Sequence, residues 1–296
     1  VRRMTFTLTP PPFRIGEMTV QRIMEMQIEF RLPGDMFPAA TAEELAELAP
    51  QFTPWAIHPV SGMAILAIQS YLVRTARHTI LIDTCIGCDK TNTRIPSWAG
   101  RTDRGWLKRL ALAGVTPEQV DYVFCTHMHA DHSGWNTQLL DGRWVPTFPN
   151  ARYIFARTEV EHAERAGLPQ YAENVLPVIA AGQAILVDSD HALDDGLWLE
   201  PTPGHTPGHV AVNLRSGSDH ALMWGDMVHS PLQCLRPDWW FMVDTDPAQS
   251  VATRRRVLEH CCEHNRLVLT AHFPAPSVGR IDREGDAFRF RYDSRE

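Results

Sequence analysis

Positive charge is scarce in this chain: 28 Lys and Arg stand against 35 Asp and Glu, a formal net charge of −7 over 296 residues. A phosphate-rich partner needs a surplus of cations on the contact face, so the balance argues against nucleic acid. Long apolar runs are missing too. No window approaches the roughly 18 uninterrupted apolar residues of a membrane span, so no membrane partner is expected. The basic start, VRRMTFTLTPPPF, is followed by no apolar segment and does not read as a secretory signal, which makes a cytoplasmic location the expectation. Cysteines are few. The six, at positions 85, 88, 125, 234, 261 and 262, are spaced like reduced thiols rather than a disulfide framework. Low-complexity tracts, long charge runs and fixed-period repeats are also absent.

What is present describes a globular chain with a substantial core: 44% of residues are apolar and 21% charged. The length suits one large domain or two ordinary ones, and no linker separates two halves, so one domain over 1–296 is expected. Alternating segments at 18–30, 63–75 and 78–84 predict strands. Thr41 with Glu44 three residues on predicts a capped helix. Further helices are predicted over 103–114, closed by Gly114, from Thr158 with Glu161 as its cap, and from Asp246-Pro247 to about His264. Strands are expected at 121–126, 152–156, 184–188, 197–200, 209–214, 220–226 and 266–270, with an edge strand at 288–292. Strands in clusters with helices between them predict an α/β (α+β) fold: two mixed sheets face to face, covered outside by helices. Residues 1–60 contribute N-terminal strands, and the Pro-rich 34–59 stretch is expected as a lid or a homodimer contact.

The chemistry concentrates in THMHADHSGW (126–135), where a strand delivers the chain into a turn. His127 and His129, on a still-extended segment, point the same way, while Asp131 and His132 reach a second point nearby. Imidazole and carboxylate together suit Zn, Fe or Mn. Downstream, GHTPGH (204–209) offers His205, WGDMVH (224–229) offers Asp226, and LTAHFP (269–274) offers His272, each at a strand-to-loop junction. Cys85 and Cys88 form a lone CxxC, read as structural; the alternative is a redox or metal-binding protein that is not a hydrolase.

In order and content these motifs resemble the metallo-β-lactamase fold superfamily, whose fold is a four-layer αββα sandwich. The resemblance implies His127, His129 and His205 on one metal, Asp131, His132 and His272 on a second, and Asp226 bridging both. It implies that Asp83, in LIDT, orients a ligand histidine. The expected cofactor is two divalent ions per chain, Zn first, with Mn, Fe or Co accepted by the same ligands. Two such cations lower the pKa of a shared water, whose hydroxide attacks a carbonyl or phosphorus centre. Asp131 is assigned the released proton.

Departures narrow the branch. The aspartate after GHTPGH is lacking in true β-lactamases of the superfamily, and the Glu of flavodiiron proteins is absent here. The pattern is closest to N-acyl-homoserine lactonases and methyl parathion hydrolase-like enzymes. Where the lactonases carry a Tyr three residues after the bridging aspartate, this chain has His229, as in the parathion hydrolase branch, and His229 is expected to donate to a developing oxyanion. The expected activity is hydrolysis of a lactone or ester, with phosphotriester hydrolysis as the alternative. The expected substrate is a small molecule with an apolar acyl or aryl group, received by Trp135, Trp239, Trp240, Phe241 and Phe273.

Overall fold

The structure, a computed structural model, describes residues 8–293. Part of the basic start that argues against a signal lies outside the described residues. The first sheet takes β1 (Phe13–Ile15), β2 (Met18–Glu29), β3 (Ile65–Arg74), β4 (Thr79–Ile82) and β5 (Tyr122–Phe124) in that order. A separate hairpin follows, β6 (Thr137–Leu140) and β7 (Arg143–Pro146), before β8 (Arg152–Ala156) and β9 (Ala184–Val187) complete the first sheet. The second sheet takes β10 (Ala192–Asp194), β11 (Leu197–Pro201), β12 (Val210–Ser216), β13 (Asp219–Met223), β14 (Leu267–Leu269), β15 (Val278–Glu284) and β16 (Ala287–Tyr292), again in chain order.

Why these runs make four layers is visible residue by residue. Successive side chains of a strand face opposite ways. In β4, Ile80 and Ile82 enter the core between the sheets, while Leu81 enters the core beneath the helix Gly105–Leu112 with Trp106 and Leu110. In β13, Ala221 and Met223 face inward and Leu222 outward, against Val257 and Leu258 of the helix Pro247–Glu263. Over Ile80–Ile82 and Ala221–Met223 both faces are therefore dry, which is why these stretches read as continuous apolar runs rather than alternating ones.

Most predicted boundaries hold. Thr41 caps its helix through a reciprocal pair, Glu44 N to Thr41 Oγ1 at 3.2 Å and Thr41 N to Glu44 Oε2 at 3.0 Å. Asp246 caps the long helix through Gln249 N at 3.0 Å. One expectation needs correction. The helix placed at Thr158 starts at Arg157 with Ala156 as an uncapped N-cap, because β8 runs directly into it and leaves Thr158 inside the first turn. In the 34–59 stretch, Phe37 and Phe52 are buried with Leu232, Leu235 and Trp239, and Trp55 packs edge-on against Tyr292. Among the described residues, no helix is long and apolar enough to cross a membrane.

Candidate metal centre

The ligand-type side chains gather at one rim because parallel neighbours end together. β4 and β5 run parallel with Ile82 opposite Phe124, so Asp83 and the 126–132 loop emerge side by side. β13 and β14 repeat this, with Met223 opposite Leu269, delivering Asp226 and His272. His205 arrives on the turn between β11 and β12. Two glycines allow the loops to close up. A Cβ at Gly134 would lie 1.8 Å from the Ile86 carbonyl oxygen, where Gly134 N donates to Cys85 O at 2.7 Å. Gly225 has φ +57°, and a Cβ there would lie 2.5 Å from His209 Nε2.

Asp226 occupies the middle. Its Oδ1 lies 3.0 Å from His132 Nε2 and 2.9 Å from His272 Nε2. Its Oδ2 lies 3.4 Å from His205 Nε2 and 3.6 Å from His127 Nε2. On one side His127, His129, His205 and Asp226 bring one ligand atom each within 4.8 Å of one another; on the other, Asp131, His132 and His272 do the same. A third such group joins Asp226, His229 and His272.

These contacts are close without being hydrogen bonds throughout. Asp226 Oδ1, His127 Nε2 and both ring nitrogens of His229 are buried with no hydrogen-bond partner. Two imidazole nitrogens at 3.0 Å or less that do not align on a buried carboxylate oxygen leave it desolvated and unsatisfied. A divalent cation shared by the lone pairs removes that cost, and the donor set of imidazoles and carboxylates is one that Zn, Mn, Fe or Co accepts. The residues present fit such an ion.

Outer partners fix the rings. Asp83 Oδ2 faces His132 Nδ1 at 2.8 Å and also accepts from Thr126 Oγ1 at 2.9 Å. Asp244 Oδ1 faces His205 Nδ1 at 2.8 Å, and Ala67 O faces His272 Nδ1 at 2.8 Å. Each leaves Nε2 turned toward the middle. Burial, helped by neighbouring imidazoles, pushes His127 and His129 well below the ordinary imidazole range. Burial also presses on His132 and His272, but Asp226 with other carboxylates more than reverses it, so both rise. His229 is pushed down to about 4 by burial against the pull of Asp226. Burial works against the ionised Asp226, yet the surrounding histidines hold it well below the carboxylate range.

Four supporting residues were not singled out from the sequence. Asp244 lies inside FMVDTDP without any spacing signal of its own, and it sits 3.6 Å from the buried guanidinium of Arg254. Arg254 also donates to Met227 O, Pro237 O and Trp239 O, stapling the loop after Asp226. His209, the second histidine of GHTPGH, accepts from Asp226 N at 3.0 Å and so fixes the backbone of the central aspartate. Glu159 accepts from Met128 N at 3.0 Å and Gly208 N at 3.1 Å, tying two ligand loops together.

A cavity of about 280 Å³ opens beside the cluster, lined by His129, Asp131, Asp226, His229 and His272 at one end and by apolar side chains such as Ile68, Ile95, Trp98 and Leu168 elsewhere. Of the five aromatics expected to form its wall, only Phe241 does, stacked on His229 at 3.6 Å between ring centroids. Trp135 turns the other way into the core, stacked on Trp106 with its Nε1 on Glu25 Oε1 at 2.9 Å. Trp239 packs on Phe37, and Phe273 is wedged between Trp224 and Phe290. Trp240 is half-buried and does not line the cavity. Sequence adjacency to a ligand does not settle direction, because neighbouring residues at a turn point to opposite sides. Cys85 and Cys88 are both free and buried; burial pushes the Cys85 thiol well up and Cys88 to about 11, and neither joins a metal-capable group among the described residues.

The sequence model of the metallo-beta-lactamase superfamily matches residues 65–261. An N-acyl homoserine lactonase from Bacillus sp is 30% identical over 166 residues, 51% of this chain and 59% of that protein. This chain spans less than two thirds of the length of the curated relatives it first matches. Among solved structures, the hydrolase AbOPH of the beta lactamase superfamily superposes with a TM-score of 0.83 at 21% identity, covering 99% of this chain and 100% of that one. AidC, a dizinc quorum-quenching lactonase in complex with a product, superposes with a TM-score of 0.80 at 23% identity, covering 98% and 99%. At those identities the likeness speaks for the fold.

Proposed function

The chain belongs to the metallo-beta-lactamase superfamily, and on that premise we propose that it is a dinuclear metal-dependent hydrolase acting on a lactone or ester of a small apolar molecule. The observation that carries this reading is Asp226, a buried carboxylate between two clusters of imidazole and carboxylate, with one oxygen left without any hydrogen-bond donor. His127, His129 and His205 would hold one ion, Asp131, His132 and His272 the other, and Asp226 would reach both. When bound, such a pair supplies a water of lowered pKa and polarises the oxygen under attack.

The remaining work falls to this chain's own side chains. Asp83 and Asp244 hold the Nδ1–H of His132 and His205, which keeps each Nε2 free as a donor atom. Asp131 is the more accessible of the two carboxylates in the set, its side chain 14% exposed, and lines the cavity, so it can take a proton from the attacking water and return it to the leaving alkoxide. His229, neutral at ordinary pH and bordering the cavity, can donate one N–H to the oxyanion. Phe241 covers the opposite face of that ring and excludes water from it. The apolar cavity wall suits an acyl or aryl group.

Metal analysis of the purified protein, with parallel assays on an acyl-homoserine lactone, an aryl ester and a phosphotriester, tests this reading. Two ions per chain and turnover of the lactone or ester support it. Turnover of the phosphotriester alone would transfer the site to the alternative chemistry, and two ions with no turnover at all would remove the hydrolase assignment.

A further inference from the structure

Two charged side chains on the cavity wall play no part in the centre. Arg31 and Arg94 border the same cavity as His129, Asp131 and His272. Among the described residues neither guanidinium has an ion pair or a hydrogen bond; Arg31 only approaches the ring of its neighbour Phe30, at 5.6 Å from the centroid. The acidic side chains on this wall, Asp131 and Asp226, both belong to the proposed metal set. In a chain where acids outnumber bases, 35 to 28, two arginines without an acid partner on a largely apolar wall are a conspicuous surplus of charge.

The backbones carrying them are anchored. Arg31 O accepts from Ala64 N at 2.7 Å. The segment leading to Arg94 is tied down by Glu173, whose carboxylate accepts from Thr91 N at 3.0 Å, Thr91 Oγ1 at 2.6 Å and Asn92 N at 3.2 Å. Both side chains are exposed, so they stand at the open end, while Ile28, Leu66 and Ile68 supply apolar wall and the ligand cluster closes the other end. A guanidinium offers its donors in a planar fork that matches a carboxylate.

Building on the hydrolase reading, we propose that the cavity selects esters or lactones whose apolar acyl part ends in a carboxylate, held at the mouth by Arg31 and Arg94 while the scissile carbonyl lies beside Asp131. Water adds its oxygen to the carbonyl carbon, the bond to the alkoxy oxygen breaks, and the water proton ends on the leaving alcohol. Nothing is oxidised or reduced.

The test compares two 4-nitrophenyl esters of equal chain length on the metal-loaded protein, hexanoate and hydrogen adipate, which differ only in the terminal carboxylate. The adipate should have a kcat/KM higher by about tenfold or more at low salt, mostly through KM, and the gap should shrink as ionic strength rises. In R31Q/R94Q the ratio of the two kcat/KM values should fall close to one. Equal rates for both esters in the wild-type protein, or a preference that survives R31Q/R94Q, would overturn the proposal. If neither ester turns over, the hydrolase reading fails separately. Calorimetry with adipate and hexanoate themselves then decides the arginine assignment: tighter adipate binding that R31Q/R94Q abolishes supports it, and equal binding overturns it.

Discussion

Asp83 and Asp244 make the same contact on opposite sides of the centre, 2.8 Å to the Nδ1 of His132 and His205 respectively, and this symmetry permits a sharp experiment. Replacing either with Asn keeps the volume but removes the charge that raises the basicity of the ligand ring. Losing such an outer partner typically weakens metal affinity 10–100-fold, about 1.4–2.7 kcal/mol. On the two-ion reading proposed above, each variant should therefore lose one ion of two to a chelator at a concentration the wild type resists, and D83N/D244N should lose both. D244N carries a further cost. Asp244 Oδ2 accepts from Phe241 N at 2.9 Å and lies 3.6 Å from buried Arg254, so an amide there leaves the guanidinium with neutral acceptors only. Breaking a buried pair of this kind puts the loss of stability near 3 kcal/mol. The sign with pH follows from the folded-state shift. Burial raises the pKa of Asp244, but the hydrogen bond and charge of His205, with Arg254, outweigh it and hold the group down. A depressed carboxylate stabilises the fold above about pH 4 and loses that contribution as pH falls further. Urea unfolding should accordingly show D244N far below wild type at pH 7 and the gap narrowing in acid. Chelator curves for D244N and D83N that match the wild type would refute the reasoning.

Three other outcomes can be checked. His132 and His272 are raised in the metal-free protein, so loading metal at pH 7 should release protons; calorimetry in buffers of different ionisation enthalpy should detect the release, and affinity should fall as pH drops. Lys90 is pushed down to about 7, by burial above all, beneath Trp144 and beside Thr137 Oγ1 at 2.7 Å. Between pH 7 and 9 the unfolded chain then binds more protons than the folded one, so wild-type stability should gain a rise over that window that K90M lacks in urea unfolding. W135F should cost about 1–2 kcal/mol of stability through the lost bond to Glu25 while leaving KM for aryl esters alone, whereas F241A should raise KM; the reverse pattern in melting and kinetics would return Trp135 to the cavity wall.

The fold was legible because its signals are local and repeated. TILI at β4 and LVL at β14 read as buried strands, and Thr41 and Asp246 announced their helices through bonds made within three residues. What escaped was set by long-range packing. β15 is held by its neighbours, and β8 passes straight into a helix because both ends of that junction are fixed by other layers; the β6–β7 hairpin is the exception, marked locally by Asp141-Gly142, both at positive φ.

The site divides along the same line. A ligand must be one of a few side-chain types at a strand end, so His127, His129, Asp131, His132, His205, Asp226 and His272 stand out in the sequence before any coordinates do. A positioning residue has no such restriction: Asp244 lies 39 residues from His205, and Glu159 lies 31 from Met128, with nothing between them to mark the pairing. Pocket walls are harder still, since Trp135 follows the ligand motif closely and yet faces Glu25, 110 residues away. Substrate choice is written in that least legible layer. It rests on which side of a turn an aromatic falls and on whether a charge such as Arg94 meets a partner, and neither is a property of the residue alone. The candidate metal ligands of this chain can thus be named from its sequence, while the substrate preference proposed for it has to be read from a cavity that only the folded chain creates.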